Sequence, residues 1–159
     1  MIASDPVLVL GEAVPQTTAP VSEEQLQAAV TVWMSTVYAD RVGTETELDG
    51  VDRAIGALGE LEVPPDSVGG LWQTAMVRVS AAMQDGESAR DELLAEAAMA
   101  ICARPNLSQR VYAMAVAISL MDGSRNIEEL EVLNRVADRL AIPTSVRSEV
   151  LAKTKKIQQ

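Results

Sequence analysis

Apolar side chains recur at three- and four-residue spacing through most of the chain, the spacing that lines one face of an α-helix. Leu26, Val30, Trp33, Met34 and Val37 follow it, and Ser22 with Gln25 forms a capping box ahead of them. The pattern predicts a helix from Ser22 to about Ala39. A second begins at Thr44, with Glu47 completing its box, and buries Leu48, Val51, Ile55 and Leu58. Gly56 and Gly59 weaken its end, and Pro64-Pro65 stops it. A third runs from about Ser67 to Met83, with Leu71, Trp72, Ala75, Met76 and Val79 on one face and a turn at Asp85-Gly86.

A fourth helix starts near Ser88, buries Leu93, Leu94, Ala97 and Ile101, and ends before Pro105. The fifth, capped by Asn106, reaches Met121 with no charge after Arg110. The sixth is capped by Asn126 with Glu129 completing the box, and buries Ile127, Leu130, Leu133, Val136, Ala137 and Leu140. Pro143 breaks the chain, and a last helix starts at Thr144 and frays through Lys153, Lys155 and Lys156. Nothing alternates for long enough to argue a strand. Residues 1–21, with Pro6, Pro15 and Pro20, read as a flexible N-terminal arm whose Val7–Leu10 patch packs on the domain or on a neighbour. Residues 22–159 read as one all-helical domain. The expected fold is all-α, a single compact bundle of about seven helices.

Two segments share a plan. A nearly uncharged helix ends in an aspartate, Asp40 or Asp122, a short polar loop follows, and an acid-rich amphipathic helix opens. The two least charged helices belong side by side at the centre, which makes the repeat an internal pseudo-twofold of helix-loop-helix pairs. An acid at a helix C-terminus is misplaced against the helix dipole by roughly 0.3–1 kcal/mol. A bound cation would offset that cost.

Composition narrows the chemistry. The 159 residues carry a formal net charge of −10 and no histidine. That charge argues against nucleic acid as a partner. Without histidine there is no Ser-His-Asp or Cys-His catalysis and no His-ligated zinc. No Gly-rich phosphate loop is present either, and the chain reads as no enzyme. Phe is absent, so Leu, Val, Ile, Ala and Met must build the core, and the methionines read as filler in it. Cys102, between Ile101 and Ala103, reads as a buried inert thiol, and one cysteine suits a reducing cytoplasm. No run is long and apolar enough to span a membrane.

The candidate chemistry lies in the two loops. Asp122, Ser124, Asn126 and Glu128 offer oxygens at alternate positions, with Glu131 a turn further on, as a hard cation such as Ca²⁺ or Mg²⁺ requires. The loop is not an EF-hand, because Ile127 and Leu133 stand where that loop needs glycine and a bidentate glutamate. The first loop offers Asp40 and Glu47. Facing each other, the loops would pool Asp40, Glu47, Asp122 and Glu131. The same residues also read as capping boxes, first-turn acids and turn aspartates with no metal.

The stretch Ala113–Leu140 resembles the TerB-like family, named for bacterial tellurite-resistance proteins. The residues that carry the likeness are Met114-Ala115-Val116-Ala117, then Met121-Asp122-Gly123, Ile127, Glu131 and Arg139-Leu140-Ala141-Ile142-Pro143. The first copy keeps Ala39-Asp40 and Glu47 but has Arg41 in place of glycine, and the second loop is two residues longer than the usual pattern. The resemblance covers most of residues 22–152. It implies an all-α domain with an acidic surface site for divalent cations and a non-enzymatic role in tellurite, metal or stress responses. Similar domains occur beside J-domain co-chaperones. The competing expectation is a metal-free interaction scaffold or co-chaperone-type adaptor, self-associating or binding another protein through the arm or through a strip around Trp72.

Overall fold

A helix with no charge on any face must be buried on every face. In α6, Pro105–Ser119, the stretch after Arg110 is of this kind: every residue from Val111 to Leu120 is uncharged and buried. Beside it lies α2, Glu23–Val37, buried throughout Ala28–Met34. The computed structural model describes residues 5–17, 19–39, 45–121 and 127–158, and among them shows eight helices and no strand beyond one isolated bridge. The others are α1 Pro6–Gly11, α3 Glu45–Ala57, α4 Pro65–Asp85, α5 Glu87–Ile101, α7 Ile127–Arg139 and α8 Thr144–Gln158. The α4–α5 hairpin packs on α2, α3 packs on α6, α7 bridges α2 and α6, and α1 lies between α6 and α8. The all-α expectation holds, and none of these helices is long and apolar enough to cross a membrane.

The local signals mostly act as their chemistry requires. Ser22 Oγ accepts from the Gln25 amide at 3.2 Å, and Gln25 Oε1 accepts from the Ser22 amide at 3.1 Å, closing the capping box. Pro6, Pro65 and Pro105 stand in the first turn of α1, α4 and α6, where a missing amide hydrogen costs nothing. Arg104, not Asn106, is therefore the N-cap of α6. Gly59, at φ +105°, lies just beyond α3 in a conformation that suits glycine. Cys102 is exposed rather than buried, because α5 ends at Ile101 and the thiol falls on its outward C-cap. Met34 and Met114 fill the core as expected, but Met99 is 78% exposed.

The N-terminal residues are laid down on the bundle. Val7 and Leu10 are buried and Leu8 is exposed, so one face of the arm's apolar patch packs within the domain, as α1. Two arginines at the start of α6 hold it. Arg110 donates to Gly11 O at 3.1 Å and Ala57 O at 3.1 Å, the open carbonyl ends of α1 and α3, and to Pro15 O at 3.3 Å. Arg104 donates to Ala19 O at 2.7 Å, Pro20 O at 3.1 Å and Gln25 Oε1 at 2.8 Å. Burial lowers the Arg110 pKa, and carbonyl dipoles rather than a carboxylate solvate its charge. Val21 completes the lacing by exchanging backbone hydrogen bonds with Glu60 and Glu62, each at 2.8 Å.

Arg110→Met leaves buried carbonyls without a donor and is expected to lower the unfolding free energy by about 3 kcal/mol, read from the urea midpoint. A loss below about 1 kcal/mol would mean that the arginine does not hold the arm. Ala141 closes α7 at φ 53° in a Schellman-type turn, with the Ile142 amide on Ala137 O at 2.9 Å. Ala141→Gly should therefore raise stability by about 1 kcal/mol, and a fall would contradict that strain.

Candidate functional site

Two hydrogen bonds set the alignment of α2 and α6. Arg104, the N-cap of α6, bonds Gln25 in the first turn of α2, and farther along Trp33 Nε1 donates to Val111 O at 3.0 Å. These pairs are 79 and 78 residues apart, so the helices run parallel in one register. Their C-terminal ends, Val37 and Ser119, consequently leave the core at the same end of the bundle. Gly50 of α3 confirms the closeness there. A Cβ on Gly50 would stand 2.9 Å from Met121 Cγ and 3.4 Å from Ile118 Cγ1, so only glycine lets α3 approach the end of α6 this tightly.

The helices that follow each central helix bury equivalent stripes. In α3 and the residue just beyond it, Glu47, Val51, Ala54, Ile55 and Leu58 are buried. In α7 and the residue just beyond it, Glu129, Leu133, Val136, Ala137 and Leu140 are buried. Each stripe has the spacing i, i+4, i+7, i+8, i+11 of one helical face. Each begins with a glutamate in the first helical turn, 1% exposed at Glu47 and 2% at Glu129. A buried carboxylate is held only where charge or donors compensate it, and a helix N-terminus supplies part of that compensation.

Among the residues read as ligands, the structure thus brings Glu47 into the interior beside the α6 end, while Glu131 is exposed on the outer face of α7. Asp40, Asp122, Ser124 and Asn126 lie outside the described residues, as does the side chain of Glu128. The sequence reading missed Glu129 as an interior acid and placed Leu130 inside, whereas Leu130 is 42% exposed. The signal was helical phase: Glu129, not Leu130, is in step with Leu133, Val136 and Leu140. No group of three or more acidic or thiol side chains converges on one point among the described residues.

Comparison of the chain with protein-family models, with curated proteins and with solved structures gives no match. The reading of the site therefore rests on its own residues. The closeness of α3 to the α6 end can be tested by itself. Gly50→Leu should overpack the contact with Met121 and Ile118 and destabilise the fold by about 1–3 kcal/mol. A neutral or stabilising effect in thermal melts would mean that the junction is loosely packed.

Proposed function

We propose that this chain is a non-enzymatic, TerB-like stress-response module that takes up a divalent cation, Ca²⁺ or Mg²⁺, where its two acidic connections meet. The observation that carries the reading is the parallel register of α2 and α6. It brings the ends of α2 and α6, Val37 and Ser119, to one end of the bundle, and the helix after each, α3 or α7, has a buried first-turn glutamate. Asp40, Asp122 and Glu47 are the principal ligands in this reading, with Glu129 added to them. Ser124 and Asn126 assist from the second connection, and Glu128 and Glu131 from α7. The cation would tie the α2–α3 pair to the α6–α7 pair.

The alternative is a metal-free scaffold or adaptor. It keeps only part of its first contact surface, because Val7 and Leu10 are spent on the bundle while Leu8 is 67% exposed, and Trp72 is half-buried against the core. The cation reading therefore stands ahead of it.

Thermal melts of EDTA-stripped protein with each metal added singly test the reading. At a cation concentration about 100 times Kd, native-state binding adds about 2.7 kcal/mol, a rise of roughly 5–10 °C for a chain of this size. Asp40→Asn with Asp122→Asn should abolish the rise. Glu47→Gln with Glu129→Gln keeps groups able to close a capping box, so the fold should persist while the rise shrinks. No rise at millimolar Ca²⁺ or Mg²⁺, or a rise unchanged in the aspartate double variant, would overturn the proposal.

A further inference from the structure

The amino-terminal helix α1 is too short to stand alone. An isolated helix needs about 12–15 residues to be even marginal in water, and α1 has 6. It exists because the bundle holds both of its ends. Asp5 caps the first turn, accepting from the Val7 amide at 3.0 Å, and pairs with Arg53 of α3. Arg110 of α6 takes the carbonyl of Gly11, the last residue of α1. Val7 and Leu10 are buried between these anchors. A Cβ on Gly11 would stand 3.8 Å from Met114 Cε, so the end of α1 covers α6 at Met114. Glu12, just beyond, is exposed, and from Val14 onward the chain is fastened again, with Val14 buried and Thr17 Oγ1 donating to Leu58 O.

The carboxy-terminal helix α8 in turn rests on α1. Among the described residues it has no comparable contact with any other helix. Arg147 ties the first turn of α8 to the end of α7, through Asp138 Oδ1 at 3.0 Å, Ala137 O at 3.2 Å and Ile142 O at 2.9 Å. Beyond that turn the buried positions among the described residues are Val150 and Thr154, one turn apart on one face. Thr154 spends its hydroxyl on Val150 O and Leu151 O inside the same helix.

We infer that α1 is a releasable keystone between the two ends of the chain, and that its departure is an opening step built into the fold. When α1 swings out about Glu12, α8 loses its principal packing surface and leaves too, while α2 to α7 stay folded on one another. The packing fixes the order. α8 can lift off while α1 stays on α6 and α3, but α1 cannot lift off while α8 stays. The opened form presents the flank of α6 at Met114, which α1 covers in the closed form. The step is independent of the cation reading.

Native-state hydrogen exchange of the full chain, read amide by amide by NMR, tests the inference. In the unaltered protein the Val9 amide of α1 and the amides of Val150 to Lys155 in α8 should be at least about a hundredfold less protected than those of α2 and α6, with little dependence on urea, as local opening shows. Asp5→Ala removes the cap and the ion pair at the surface and should speed exchange at Val9 about fivefold. The α8 amides must still open at least as often as Val9. Val150→Ala, at the far end of the sequence, should speed exchange at Val9 by the same factor as in α8, about tenfold, because every release of α1 also loses the Val150 contact. Val9 unmoved by Val150→Ala, α8 amides more protected than Val9 in the Asp5 variant, or α1 and α8 amides that exchange only with those of α2 and α6 would each overturn the inference. Asp5→Ala alters an edge of the fold, which keeps the test decisive if the Val150 variant does not fold.

Discussion

The burial of α6 on all sides governs everything around it. Val111 to Leu120 contains no charge and is wholly enclosed, so other elements must cover each face of that helix. α2, nearly as apolar, takes one side, and α1, α3 and α7 take the rest. At the start of α6 a buried charge, Arg110, binds carbonyls from two segments distant in sequence, Gly11–Pro15 and Ala57. The helix therefore serves both as core and as the point where the amino-terminal residues are fastened.

From this constraint the placement of the acids follows. Because α2 and α6 run parallel, their C-terminal ends lie at one end of the bundle, and α3 and α7 each bury a first-turn glutamate. Gly50 permits α3 to close on the end of α6. The chain thus keeps two carboxylates buried in the first turns of α3 and α7, while the other acids among the described residues lie mostly on exposed surfaces. That contrast is what separates this end from an ordinary solvated acidic face.

The helical class and the central pair were legible in the sequence, because an absence of charge over Gln25–Ala39 and Val111–Met121 leaves burial as the only solution. The arm was not, for a physical reason. Arg104 and Arg110 fasten it through backbone carbonyls, and backbone acceptors leave no trace in residue identity. Its prolines read as flexibility, yet Pro6 opens a helix. At the candidate site Glu47 was legible, while Glu129 was hidden by its place in a capping-box pattern. Its phase with Leu133 and Val136 carried the stronger information. Glu131 satisfied the family-like spacing and faces solvent. Cys102 was misjudged because its apolar neighbours belong to the last turn of α5, one residue before the chain turns outward.

Isothermal titration calorimetry of Ca²⁺, and separately Mg²⁺, into the stripped full-length chain would decide whether the two connections work as one centre. A shared site gives a saturable heat with a stoichiometry of one cation per chain, lost together when either Asp40 or Asp122 is changed to Asn. Heats no larger than dilution for both metals would show that the acids are caps and turns and hold no cation.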